Sequence, residues 1–136
     1  MSGDGSGTVP GDVREQIEDD PYCETLGIEL ADLAPGRAVT RLRITADLLN
    51  FHGTPHGGAV YSLADAAFAA ASNSHGETAF ALETNISYLE AVETGTTLTA
   101  TAAETHLSER TAEYEIVVTD EDDERVATFR GRVYRP

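Results

Sequence analysis

Apolar and polar positions alternate through most of the second half of this chain. From Thr111 to Thr119, Ala112, Tyr114, Ile116 and Val118 fall on one side and Thr111, Glu113 and Glu115 on the other. In Arg125 to Tyr134, Ala127, Phe129 and Val133 alternate with Thr128, Arg130 and Arg132. A period of two with one wet face is the signature of antiparallel strands. With Ala79 to Leu89 and Thr96 to His106, these segments predict four strands following one another as a meander. Upstream, Arg37 to Ala46 alternates as well, with Ala38, Leu42 and Ile44 opposite Val39, Arg41, Arg43 and Thr45. Leu26 to Leu33 reads as a further strand, closed by a turn at Pro35-Gly36.

The period changes between Gly57 and Ser74. GGAVYSLADAAFAAASNS is rich in Ala, carries Asp65 as its one charge, and is followed by the stop signal Asn73 to Gly76. Such a composition predicts a helix, and one apolar nearly all round is buried on most faces. A short polar helix is predicted from Asp12 to Asp20, with Val13 and Ile17 as its apolar edge, and a loop from Asp47 to His56. Residues 1–10, rich in Gly and Ser, read as a flexible tail, leaving 11–136 as a single domain. A sheet of about six strands must then curl round one apolar helix, an α+β architecture.

Charge narrows the class. The 136 residues carry 24 acidic and 9 basic side chains, all nine of them Arg, for a net charge of −15. That balance argues against nucleic acid and against an anionic membrane surface as partners. High acidity without Lys suits a salt-rich, halophilic setting, where carboxylates keep a protein soluble. The single Cys23 suggests a reducing compartment, and neither a leader pattern nor a membrane-spanning run is visible, so a cytoplasmic location is expected.

The suggestive chemistry lies between Asn50 and Asp65. Gly57-Gly58 opens the long helix, where unpaired amides and a partial positive charge gather. Lacking side chains, the two glycines let a carbonyl approach those amides as in an oxyanion hole; equally, they permit a tight turn into the helix. Asp65 is a carboxylate in an apolar helix, a costly placement unless it is partnered or used. Ser62 and Tyr61 could satisfy it; otherwise it is a general base or nucleophile. It follows Gly57 by eight residues, about 12 Å along the axis, whereas reacting atoms must come within about 3.5 Å. Both groups can serve one carbonyl only if they come from two chains, which predicts a homodimer with two equivalent sites. His56 either orients the loop or substrate or is purely structural, and Asn50 either holds the loop or positions water. His52 and His56 share no helical face, so no metal site is predicted. Ser62 lacks a nucleophile elbow, and no phosphate-cradling glycine motif is present.

His56-Gly57-Gly58 followed by Leu63-Ala64-Asp65 resembles the hotdog-fold acyl-CoA thioesterases, most closely the branch acting on phenylacetyl-CoA in phenylacetate breakdown. Supporting segments are Leu26-Gly27-Ile28, Leu49-Asn50, Phe68-Ala69, Asn73-Ser74, Ile86 to Leu89, Val126-Ala127 and Phe129-Arg130-Gly131. The resemblance implies a long helix wrapped by a curved antiparallel sheet, paired into dimers and often tetramers, hydrolysing an acyl-CoA without a cofactor. It implies that the Gly57 amide polarises the thioester carbonyl and that Asp65 of the partner subunit activates water or attacks. It further implies that His56 and Asn50 position the water, carbonyl or leaving group, and that Gly58, Ser108 and Arg110 contact substrate. The chain departs from the family at Ser108-Glu109-Arg110, where the family often has Gly before the basic residue and Glu109 here adjoins Arg110, and at Glu90-Ala91, which replaces the family's Arg-Pro and removes a positive charge. The alternatives are a non-catalytic acyl-CoA-binding module, which would not need Asp65, and a dehydratase or hydratase, which would need a His within the helix.

Overall fold

The computed structural model describes residues 7–136. Three helices, α1 (Gly11–Glu18), α2 (Pro21–Leu26) and α3 (Gly57–Asn73), accompany six strands. The strands are β1 (Glu29–Ala34), β2 (Arg37–Arg43), β3 (Phe80–Tyr88), β4 (Thr97–Leu107), β5 (Thr111–Thr119) and β6 (Arg125–Tyr134). All pairings are antiparallel, in the order β1-β2-β4-β5-β6-β3. The sheet covers α3 and forms the long-helix, six-stranded hotdog architecture expected from the resemblance.

Ala38 and Leu42 of β2 lie opposite Ala102 and Leu98 of β4, and Ile116 of β5 lies opposite Phe129 of β6. These inward residues meet Val60, Leu63, Ala64, Ala67, Phe68 and Ala71 of α3, a stripe repeating every three to four residues. Small Ala side chains under β2 and β4 let the helix approach, while Phe68, Tyr114 and Phe129 fill the β5–β6 side with tilted aromatic contacts. Gly131 belongs to that packing, because a Cβ there would lie 2.5 Å from the Phe68 ring. Thr40 Oγ1 donates to the Leu63 carbonyl at 3.0 Å, and Gly36 N–H donates to Ser74 Oγ at 2.8 Å, which fixes the helix along the sheet.

Three expectations are corrected. The four later strands are not a simple meander: β4, β5 and β6 are, but β3 crosses to the far edge and pairs with β6. The inner edge of β4 is already occupied by β2, so β3 finds its partner across the sheet. The first strand starts at Glu29 rather than Leu26, because Pro21–Leu26 forms α2. Asp20 caps α2, Pro21 opens it, and Gly27 at φ +88° closes it. The first helix ends at Glu18 instead of continuing to Asp20 for the same reason. Of the segment expected as a tail, residues 1–6 lie outside the described residues, and Val9 is buried in the core. Two Arg of β6 pair with strand carboxylates: Arg130 with Glu113, and Arg132 with both Glu83 and Glu113.

Candidate active site

The loop before α3 is held from within. Asn50 Oδ1 accepts from the His52 amide at 2.9 Å, the Thr54 amide at 3.2 Å and Thr54 Oγ1 at 3.1 Å. The Asn50 amide donates to the Thr54 carbonyl, and Gly53 turns at φ +78°. The His56 amide then donates to the Leu48 carbonyl, so the chain enters α3 at a fixed point. The side-chain oxygen of Asn50 is therefore a loop organiser, leaving only its side-chain nitrogen for anything else.

His56 is the N-cap of α3, an uncommon residue for that position. Its Nδ1 accepts from the Gly58 amide at 2.8 Å, which leaves the ring proton on Nε2 in the neutral tautomer. A Cβ on Gly58 would stand 2.9 Å from that Nδ1, so glycine is required for the cap. The Ala59 amide donates to the His56 carbonyl. Among the described residues, the Gly57 N–H is left without a partner, and it carries the positive end of a helix of 17 residues. Of the two amides read from the sequence as an oxyanion hole, one is consumed by His56 and one is open. Tyr88, at the end of β3, donates to the Gly57 carbonyl at 2.9 Å and fastens the helix start to the sheet. Sequence reasoning missed Tyr88; its only signal is an aromatic residue closing a strand.

Asp65 lies two turns further on, half-buried. The hydroxyls that could have satisfied it are engaged elsewhere: Ser62 Oγ with Tyr22 at 2.8 Å, and Tyr61 with Thr84. Among the described residues no donor reaches its carboxyl. Burial first, and then the Asp20 carboxylate, hold that carboxyl above the usual aspartate range. The next residue, Ala66, helps line a cavity of about 250 Å³ that Asp65 itself does not line, with Val13, Ile17, Ile28, Leu30 and Ala69 among its apolar walls. Glu18, Asp20 and Glu77 also line it.

Ser108 and Arg110 are not brought to this end of one chain. They sit in the β4–β5 turn, where Leu107 faces Ala112 and Tyr134 faces Phe80. Tyr88, beside Gly57, pairs with Ala127 at the opposite end of the sheet. Ser108 Oγ is within 3.0 Å of His106 Nε2, and the Arg110 carbonyl accepts from the Arg135 amide, while the Arg110 side chain is exposed. Among the described residues no group of three His, Cys, Asp or Glu converges as metal ligands, and no helix is long and apolar enough to cross a membrane.

Residues 52–127 match the family model described as the thioesterase superfamily. The acyl-coenzyme A thioesterase PaaI of Escherichia coli (strain K12) is 41% identical over 118 residues, 87% of this chain and 84% of that protein. The solved structure of the E. coli PaaI protein from the phenylacetic acid degradation operon aligns with a TM-score of 0.86 at 39% identity, over 90% of this chain and 89% of that one. A mutant of the phenylacetic acid degradation protein PaaI from Thermus thermophilus aligns with a TM-score of 0.83 at 45% identity, over 86% and 100% of the two chains.

Proposed function

Since the chain belongs to the thioesterase superfamily and has its hotdog fold, we propose that it hydrolyses acyl-CoA thioesters, with aryl- or arylacetyl-CoA as the substrate class. Water adds to the thioester carbonyl, the C–S bond breaks, and a carboxylic acid and free CoA thiol leave. The observation that carries the reading is the pairing, among the described residues, of an open Gly57 amide at the helix start with a half-buried Asp65 that no donor reaches, two turns away. Arylacetyl specificity draws its support from the two PaaI relatives, which are named for phenylacetic acid degradation.

Each group has a role in this scheme. The Gly57 N–H stabilises the oxyanion that forms on the carbonyl. Asp65 of the partner subunit deprotonates the attacking water or attacks the carbonyl itself. His56 offers Nε2–H to substrate or leaving group, and the free side-chain nitrogen of Asn50 positions the water. Gly58 keeps the approach open by allowing the His56 cap.

The eight-residue offset is satisfied if two α3 helices run antiparallel with their two-fold axis near Tyr61, midway between Gly57 and Asp65. The unpaired edge of β3 supports such a dimer, since its Phe80, Leu82 and Tyr88 are each more than half exposed. Antiparallel pairing of two β3 edges also sets one chain's Ser108–Arg110 turn beside the partner's Gly57 end. There Ser108 and Arg110 serve as contacts for the CoA of a shared site.

The test is thiol release from a panel of phenylacetyl-, benzoyl-, acetyl- and long-chain acyl-CoA, run in dilute buffer and in concentrated KCl. The salt arm matters because an acidic surface repels polyanionic CoA until that charge is screened. Arylacetyl-CoA is expected to be turned over best. Asp65→Asn is expected to lower kcat by about 10²–10⁴. Full turnover by an Asp65→Asn protein of unchanged oligomeric state would overturn the reading.

A further inference from the structure

We infer that Asp20, at the start of the short helix α2 that docks on α3 at Ser62, three residues before Asp65, is a positioning residue for this reaction: it sets the charge environment in which Asp65 works. The inference rests on the functional reading above and adds a residue outside the His56–Asp65 segment.

The placement is built in three steps. Asp20 Oδ1 accepts from the Cys23 amide at 3.0 Å, Pro21 begins the helix, and Gly27 at φ +88° ends it, so six residues hold a defined shape. Tyr22 then docks that helix on α3 through its hydroxyl, 2.8 Å from Ser62 Oγ. Ser62 precedes Asp65 by three residues and Ala66 by four, which puts all three on one face of α3. Asp20 and Cys23 on one side and Ala66 and Ala69 on the other consequently wall the same cavity.

No basic group lines that cavity among the described residues. Its titratable lining consists of Glu18 from α1, Asp20 at the start of α2, Cys23 on α2 and Glu77 after α3, while β1 and β2 contribute Leu30 and Thr40. The mutual influence is visible in two groups. The Asp65 carboxyl is raised by burial and then by Asp20. The Cys23 thiol is raised to about 11 by burial first, then by Asp20, with a smaller contribution from Asp65. A carboxylate held above its ordinary range is a stronger base once ionised, which favours proton abstraction from water near neutral pH.

Asp20→Asn isolates the effect, because the side-chain amide oxygen still accepts from the Cys23 amide while the charge is removed. Asp20→Ser, another good cap without charge, is the second variant. In both, the acid limb of the kcat/KM profile is expected to move to lower pH. The Cys23 thiol, the only one in the chain, is expected to titrate below about 11, followed by thiolate absorbance without any substrate. Asp19→Asn removes the same charge one residue earlier, outside the cavity lining, and should shift neither. Asp20 is exposed, so the shift should shrink in concentrated KCl as salt screens its charge, whereas a shift caused by loss of the α2 cap would not depend on salt.

The inference is overturned if the limb and the Cys23 titration of both Asp20 variants coincide with wild type, or if Asp19→Asn moves them equally. Its failure is distinct from that of the functional reading. An inactive Asp65→Asn protein with unshifted Asp20 variants removes only the role of Asp20, whereas a fully active Asp65→Asn protein removes the reading itself.

Discussion

Replacing Gly57 by Ala separates a catalytic role from a structural one. A Cβ at Gly57 would lie 3.3 Å from Cζ and the hydroxyl of Tyr88, tighter than ordinary contact but against an exposed ring able to yield a few tenths of an ångström. The change from Gly to Ala favours the helix by at most about 1 kcal/mol. Disturbing the hydrogen bond from Tyr88 to the Gly57 carbonyl costs about 0.5–1.5 kcal/mol. These opposing effects leave stability near wild type. Activity has no such offset, since the added methyl group stands beside the Gly57 amide, which is open among the described residues. Loss of a single oxyanion donor lowers kcat by about 10²–10³, or roughly 2.7–4 kcal/mol of transition-state stabilisation. The expected result for Gly57→Ala is an almost unchanged thermal midpoint with a large fall in thiol release. Gly58→Ala is the comparison: its Cβ would meet His56 Nδ1 at 2.9 Å and dislodge the cap, yet it leaves the Gly57 amide in place. Its activity should fall less. Wild-type turnover by a folded Gly57→Ala protein would refute the oxyanion assignment.

Much of the fold was legible because alternation reports faces. Ala112, Tyr114, Ile116 and Val118 point inward as their spacing requires, and α3 begins at Gly57 as its composition implies. Alternation does not report neighbours, so the move of β3 to the side of β6 could not be read from Phe80 to Tyr88. The helix α2 was hidden because Leu26, Ile28 and Leu30 alternate like a strand, although Asp20-Pro21 and Gly27 mark its two ends. In the site, residue types were legible and hydrogen-bond allegiances were not. Asn50 carries a side chain fit to position water, yet its oxygen binds the loop backbone. The diglycine advertises two amides, yet the imidazole of His56 takes one of them. Ser62 stood near enough in sequence to satisfy Asp65, but Tyr22, forty residues earlier, claims its hydroxyl. Such competition is decided by long-range packing, which local pattern does not encode.

Two further outcomes concern stability. Gly131→Ala forces a methyl group to within 2.5–2.9 Å of three Phe68 ring atoms, and that ring is 2% exposed between Tyr114 and Phe129. Overpacking of this kind costs about 1–3 kcal/mol, a fall in thermal midpoint on the order of 5–10 °C; an unchanged midpoint would mean the aromatic cluster has room to spare. Asp65→Asn should do the reverse near neutral pH. The folded state raises the Asp65 carboxyl above its unfolded value, chiefly by burial, so its contribution to folding is fully favourable only below the ordinary aspartate pKa of about 3.9. That contribution is lost as pH rises through the raised folded value, because the ionised form is penalised in the folded protein alone. Asn is neutral throughout and never incurs the penalty. The variant should thus melt above wild type at neutral pH, with the gap closing as the solution is acidified below the unfolded pKa. A gap independent of pH would show that Asp65 is satisfied in the folded chain, and would take away the physical reason for assigning it the reaction. A gap that closes, joined to lost turnover, would identify a carboxylate kept at the expense of stability for the chemistry it performs.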